Sequence, residues 1–268
     1  MTINWRERIV AATIHFAITL LVAGLAAALI FFVWFPGAMA TLVGGAKLFF
    51  IVTGCDVILG PLISLVIYNS KKPRKELIID YSVIGLVQLV ALVYGVSVVA
   101  ASRPVFVAFD GDRLEIVTAI ELEESDLLAG MAPEFRSKSW IGPRLVSIEE
   151  PTDLKEKQTL LFSAIAGKDG YLMPKYYRAY DTAREQILKK SQSLEVLLKD
   201  SKDAKPIIED AIASTDKPPS DLRWLLVHHR FGFAVALIDA QSGEPLEYAV
   251  VDPVWLDKPA SDDKKESK

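Results

Sequence analysis

The chain has 268 residues, 51% of them hydrophobic, with 30 Lys and Arg against 34 Asp and Glu and a net charge of −4. That apolar content is high for a water-soluble protein of this length, and length alone allows one or two domains. The single cysteine, Cys55, excludes an internal disulfide.

Three long apolar blocks crowd the first 103 residues, at about 11–35, 47–69 and 79–101. Each is long enough to cross about 30 Å of hydrocarbon as a helix rising 1.5 Å per residue. "AMA" at 38–40 has the small–x–small form of a signal cleavage site. The apolar block before it is longer than a signal h-region, so we read it as a span. Arg6 and Arg8 precede the first span, and Lys71, Lys72, Arg74 and Lys75 separate the second from the third. The positive-inside rule places both segments in the cytoplasm and everything after Arg103 outside it.

The rest of the chain reads as one α+β domain, at 104–257, with a solvated, disordered tail at 258–268. "PVFVAFD" and "RLEIVTAI" are β-branched runs joined by "GD", a strand pair. "EESDLLAGM" is a short helix and "RLVSIEE" a third strand. "TDLKEKQTLLFSAIAG" is a helix that starts at a capping Thr and stops at Gly167. Residues 180–200 carry apolar residues at Ile187, Leu188, Leu194, Leu197 and Leu198, which predicts one amphipathic helix. "AKPIIEDAIAS" is a shorter helix. "LRWLLVHHR", "GFAVALIDA" and "PLEYAVVD" form a meander whose second turn is at Gly243. The predicted fold is therefore three transmembrane α-helices followed by a small α+β exported domain with an antiparallel sheet.

Charge follows the same division. Residues 1–103 hold eight Lys and Arg and four Asp and Glu, and the 22 basic and 30 acidic residues that remain give residues 104–268 a balance of −8. An acidic domain argues against nucleic acid and anionic lipid as its partners.

The motifs of catalysis are missing. No glycine-rich phosphate loop and no GxSxG elbow occur. His228 and His229 are neighbours on a predicted strand and point to opposite faces, so they do not share a metal. "DGD" at 110–112 lacks the ligand spacing of an EF-hand. We expect no cofactor, no metal and no enzyme activity.

Asp56 is the exception in the apolar blocks. A carboxylate at the bilayer centre costs at least about 2.5–3.5 kcal/mol on insertion scales, so it avoids lipid. Counted from the cytoplasmic ends of their spans, Gln88 and Tyr94 bracket it in depth, while His15 and Thr19 lie nearer the cytoplasm, where His15 reaches the interface. Two readings stay open. Asp56 is an internal clasp to Gln88 or Tyr94, or it is a docking point for a polar group on another protein's membrane helix. Pro61 removes a helix hydrogen bond and predicts a kink, so Gly54, Gly60 and Pro61 outline a surface on which a helix can pack.

Several segments together resemble the TfpX/TfpZ family of type IV pilin accessory proteins. They are "FFVWFPG" 31–37, "GCDVILGPLISLVIYN" 54–69, "KKPRKELIIDYSVIGLVQLVALVYG" 71–95, "RPVFVAFDGDRLEIVTA" 103–119 and "IDAQSGEPLEYAVVDPVW" 238–255. Val254 separates Pro253 from Trp255, a small departure from the family's ending. The resemblance implies a bacterial inner-membrane protein that assists its cognate type IV pilin, with other pilus assembly proteins and membrane lipid as further partners. A pilin in the membrane is one apolar helix with a periplasmic head, and this chain offers a membrane surface for the one and an exported domain for the other. The alternatives are an envelope enzyme anchored by the three spans, or a sensor or transporter subunit that uses Asp56.

Overall fold

The computed structural model describes residues 5–69, 71–200 and 204–251. The expected tail at 258–268 and the Pro253–Trp255 ending lie outside the described residues. The first half is three long helices. Helix α1 (Trp5–Leu29) continues through a π-helical turn at Ile30–Trp34, a short α2 (Met39–Leu42) follows, and α3 (Gly45–Ile67) and α4 (Arg74–Ala101) complete the set. At 30, 23 and 28 residues, the spans Trp5–Trp34, Gly45–Ile67 and Arg74–Ala101 are long and apolar enough to cross a bilayer. Large apolar side chains such as Leu25, Phe50, Val66 and Val87 are exposed along them, as lipid-facing helices require. This is a membrane protein.

The second half is built on an eight-stranded sheet among the described residues. In chain order its elements are β1 (Pro104–Asp110), β2 (Arg113–Thr118), α5 (Glu124–Leu128), β3 (Arg144–Ile148), α6 (Leu154–Ile165), β4 (Tyr177–Ala179), α7 (Arg184–Lys190), β5 (Gln192–Ser193), α8 (Leu194–Asp200), α9 (Lys205–Ala213), β6 (Leu222–His229), β7 (Gly232–Asp239) and β8 (Pro245–Ala249). The strand order is β4-β3-β1-β2-β6-β7-β8, with β5 paired to the start of β6. The hairpins β1–β2, β6–β7 and β7–β8 are antiparallel, as their short turns demand. The sheet is nevertheless mixed, because β1 pairs β3 and β2 pairs β6 in parallel. Both of those pairs are joined by long connections that carry helices.

Two local expectations need correction. The cap of α6 is Asp153, which accepts the Glu156 N–H at 3.0 Å, and not Thr152. Residues 180–200 do not form one helix. The chain leaves the helix at Ser191, and Gln192 and Ser193 pair with Trp224 and Arg223 of β6. The Arg223 guanidinium donates to Ser191 Oγ at 2.6 Å and to the Ser191 carbonyl, and Trp224 Nε1 donates to the Ser193 carbonyl at 3.2 Å. Tertiary hydrogen bonds outbid the local helical pattern here.

The two halves share one core. Alternate residues of β1 point to opposite faces, Val107 and Phe109 to one and Phe106 and Ala108 to the other. Helices α8 and α9 cover Trp224, Val235 and Leu237 on another part of the sheet. The face carrying Val107 and Phe109 is covered by the segment between the first two spans. There Phe35 and Leu42 are fully buried, and Met39 and Val43 nearly so, in one cluster with Leu114, Leu225 and Ala236. The segment "PGAMATLVGGAK" between the first two spans is therefore a piece of the domain core. Arg103, just beyond the end of α4, is a joint. It is buried, donates to the Ala100 carbonyl at 2.6 Å and the Ser139 carbonyl at 2.9 Å, and lies 3.7 Å from the centre of the Trp140 ring.

Candidate partner-helix site in the membrane bundle

Helices α1 and α4 both pack along α3. Between them lies a groove of about 590 Å³, walled by Ile14, Ile18 and Val22 on one side and Gly85, Leu89 and Leu92 on the other, with Thr53, Asp56 and Val57 between. Its size and its mostly apolar lining with a few convergent polar groups are those of a binding site.

Small residues set the spacing. A Cβ on Gly60 would lie 2.2 Å from Gln88 Nε2 and 3.1 Å from His15 Nε2, and a Cβ on Gly95 would lie 2.0 Å from Val52 Cγ1. Close approach of membrane helices depends on such positions. At Gly54, by contrast, an added Cβ would meet nothing within 4 Å, so Gly54 is open surface.

A polar clasp crosses the bundle at the level of Gly60. His15 Nδ1 lies 2.6 Å from Ser64 Oγ, and His15 Nε2 lies 2.8 Å from Gln88 Oε1. The amide oxygen only accepts, so Nε2 carries the proton, and a neutral ring then accepts at Nδ1 from the serine hydroxyl. All three spans are joined through one imidazole. His15 is thus half-buried between the three helices.

Asp56 sits beside this clasp without entering it. Gln88 Nε2 donates to the backbone carbonyl of Asp56 at 3.4 Å, not to its carboxylate. Among the described residues no hydrogen bond or ion pair engages that carboxylate. The Tyr81 hydroxyl, also on the groove, is buried and has no hydrogen-bond partner among the described residues. Helix α3 runs unbroken through Pro61, which has no N–H to offer the Val57 carbonyl. Tyr94 is elsewhere. It is 71% exposed, because six residues beyond Gln88 is about 240° around the helix at 3.6 residues per turn. Depth alone placed it near Asp56, and helical angle removes it. Spacing was the overlooked signal. His15 and Thr19, Gly60 and Ser64, and Tyr81 and Gln88 recur at intervals of four or seven, each pair on one helical face.

The domain has a smaller and more polar pocket of about 330 Å³, where Asp126 pairs with Lys168 at 2.7 Å. Glu115 is 2% exposed, with Oε1 at 2.6 Å from Arg113 Nε and Oε2 at 2.6 Å from His228 Nδ1. Both oxygens are occupied, so this is a structural ion network. Burial, and then the Glu115 charge, push the carboxyl of Asp110 up to about 6. His229 is buried on the opposite face from His228, and burial lowers its pKa. Among the described residues no group of three or more His, Cys, Asp or Glu is placed to hold a metal ion.

Comparison with known proteins gives a consistent result. The family described as fimbrial assembly protein FimB matches residues 3–44, which are the first span and the segment that enters the domain core. A fimbrial assembly protein of serogroup I from Dichelobacter nodosus is 36% identical over 181 residues, covering 68% of this chain and 70% of that relative. The serogroup E1 protein of the same organism is 35% identical over the same lengths, and the protein of serogroups C1 and C2 is 42% identical over 45% of this chain and 88% of its own. These names are broader than the TfpX/TfpZ resemblance: they speak of fimbrial assembly and name no catalytic activity. No solved structure matches.

Proposed function

Because the chain belongs to the fimbrial assembly protein family, we propose that it is an accessory factor that holds a pilin in the membrane through the groove between α1 and α4. The observation that carries this reading is the groove's unfinished polar chemistry. Among the described residues, nothing engages the Asp56 carboxylate or the buried Tyr81 hydroxyl, and both line a space that lipid tails cannot satisfy. An apolar helix that brings a hydrogen-bond donor to the depth of Asp56 completes the site. A carboxylate on that helix would repel Asp56 unless one of the two were protonated, so a donor is the matching group.

The positive-inside rule supports this reading: Arg6 and Arg8 before the first span and the basic residues at 71–75 favour a cytoplasmic N-terminus and loop, with the sheet domain in the periplasm of a bacterial inner membrane. The pilin head then lies beside the domain, and assistance is non-enzymatic: retention, stabilisation or release of the subunit.

In-cell photocrosslinking tests the reading. A photoreactive residue at Ile18 or Leu89, both on the groove, is expected to capture the cognate pilin. The same residue at Phe50 or Val66, exposed outside the groove, is expected to capture far less. Capture of pilin from the domain alone, or equally from all four membrane positions, removes the groove from the mechanism.

A further inference from the structure

We infer that the membrane-facing rim of the sheet domain, formed by Ile120, Trp140, Ile141 and Phe231, is seated in the boundary between headgroups and acyl chains of the adjacent leaflet. The spans alone anchor the protein; the rim would fix the tilt of the domain against the bilayer.

Topology brings these residues to one edge. Strand β1 starts two residues after α4 ends, so its first residue lies at the membrane. Its antiparallel neighbour β2 ends there, which places Ile120 just beyond. Strand β3, parallel to β1, starts at the same edge, just after Trp140 and Ile141. Strand β6, parallel to β2, ends there, at the hairpin that carries Phe231.

Contacts then tie this edge to the outer end of every span. Trp140 packs 5.9 Å from Trp34, the last residue of the first span, and the Gly142 N–H donates to the Val33 carbonyl at 2.9 Å. The Phe231 ring abuts Gly44, just before the second span begins at Gly45. The Ala119 N–H donates to the Arg103 carbonyl at 2.9 Å, immediately after the third. Yet the side chains of Ile120, Trp140, Ile141 and Phe231 are 62, 59, 82 and 66% exposed. Large apolar and aromatic side chains at this level are continuous with the lipid-facing surface of the spans, and such residues favour the interface. Arg103, over the Trp140 ring, keeps a cation at the same depth. The balance of −8 over residues 104–268 offers no attraction to anionic headgroups, so the contact is apolar and independent of lipid charge.

Site-directed spin labelling tests this. Nitroxides are placed singly by Ile120→Cys, Ile141→Cys and Phe231→Cys in a Cys55→Ser background, in phosphatidylcholine nanodiscs. Collision with oxygen, which concentrates in lipid, is compared with collision with a water-soluble nickel chelate. Wild-type Cys55, exposed on α3, gives the lipid reference, and Asp112→Cys, at the far turn between β1 and β2, gives the aqueous one. The expected result is an oxygen-to-nickel ratio at all three rim positions several-fold above that at 112. Ratios equal to that at 112 place the rim in water and overturn the inference. Protection from both reagents shows that protein, a second copy or a partner, covers the rim, and overturns it as well.

Discussion

In the sheet domain, Glu115 is buried and both its oxygens are engaged, by Arg113 and His228. Asp239, also buried, accepts the N–H groups of Gln241 and Ser242 at 2.7 Å and pairs with Lys217. In the membrane bundle, His15 is satisfied twice, but among the described residues nothing engages the Asp56 carboxylate or the Tyr81 hydroxyl. An unpaired polar group costs more in hydrocarbon than at a protein surface in water, so the less polar half is the one that tolerates the deficit. Under the proposed function, the paired carboxylates of the domain serve stability, and the open polar groups of the groove serve binding.

Substitutions can break or sharpen that contrast. The largest effect is expected where the halves merge. Phe35→Ala empties a fully buried position in the shared core, so chemical unfolding of the detergent-solubilised protein should show a loss of about 3–5 kcal/mol. A loss near zero would mean that the connector is not part of the domain core. Next comes Asp239→Ala, which orphans two N–H donors and a lysine and should cost about 1–3 kcal/mol in the same assay. The Lys217 hydrogen bond, followed by the Ser242 N–H, holds the carboxyl of Asp239 down at about 2. Its folded value lies below the unfolded one, so its stabilisation is present above pH 4 and is lost as pH falls from 4 towards 2. Wild type should therefore lose this increment on acidification, and Asp239→Ala should not. The smallest stability effect is expected from Asp56→Leu. Its unfolding should stay within about 0.5 kcal/mol of wild type, or rise slightly, because no partner is lost. Pilin capture from Ile18 and Leu89 should fall at the same time. Normal capture, or a clear loss of stability, would erase the distinction between the halves.

Much of this was legible in the sequence. Three blocks of more than 20 apolar residues have one physical solution, because lipid satisfies no backbone group and only helices or closed barrels survive there. Runs such as "PVFVAFD" and "GFAVALID" announce strands buried on both faces. Asp56 was conspicuous because its cost in lipid is high and its neighbours are apolar. What the sequence left open was set by angle and by distant partners. Tyr94 matches Asp56 in depth, yet it points away around the helix. The true clasp joins His15, Ser64 and Gln88, which are 49 and 73 residues apart. Residues 191–193 read as helix until β6 supplies the hydrogen bonds that draw them out. "PGAMATLVGGAK" reads as a loop until the sheet offers it a face to bury. Hydrophobic period and charge bias are local properties, and they determined the spans and most strands. Pairings between distant segments depend on which surfaces the folded chain brings together, and only the tertiary structure decided those.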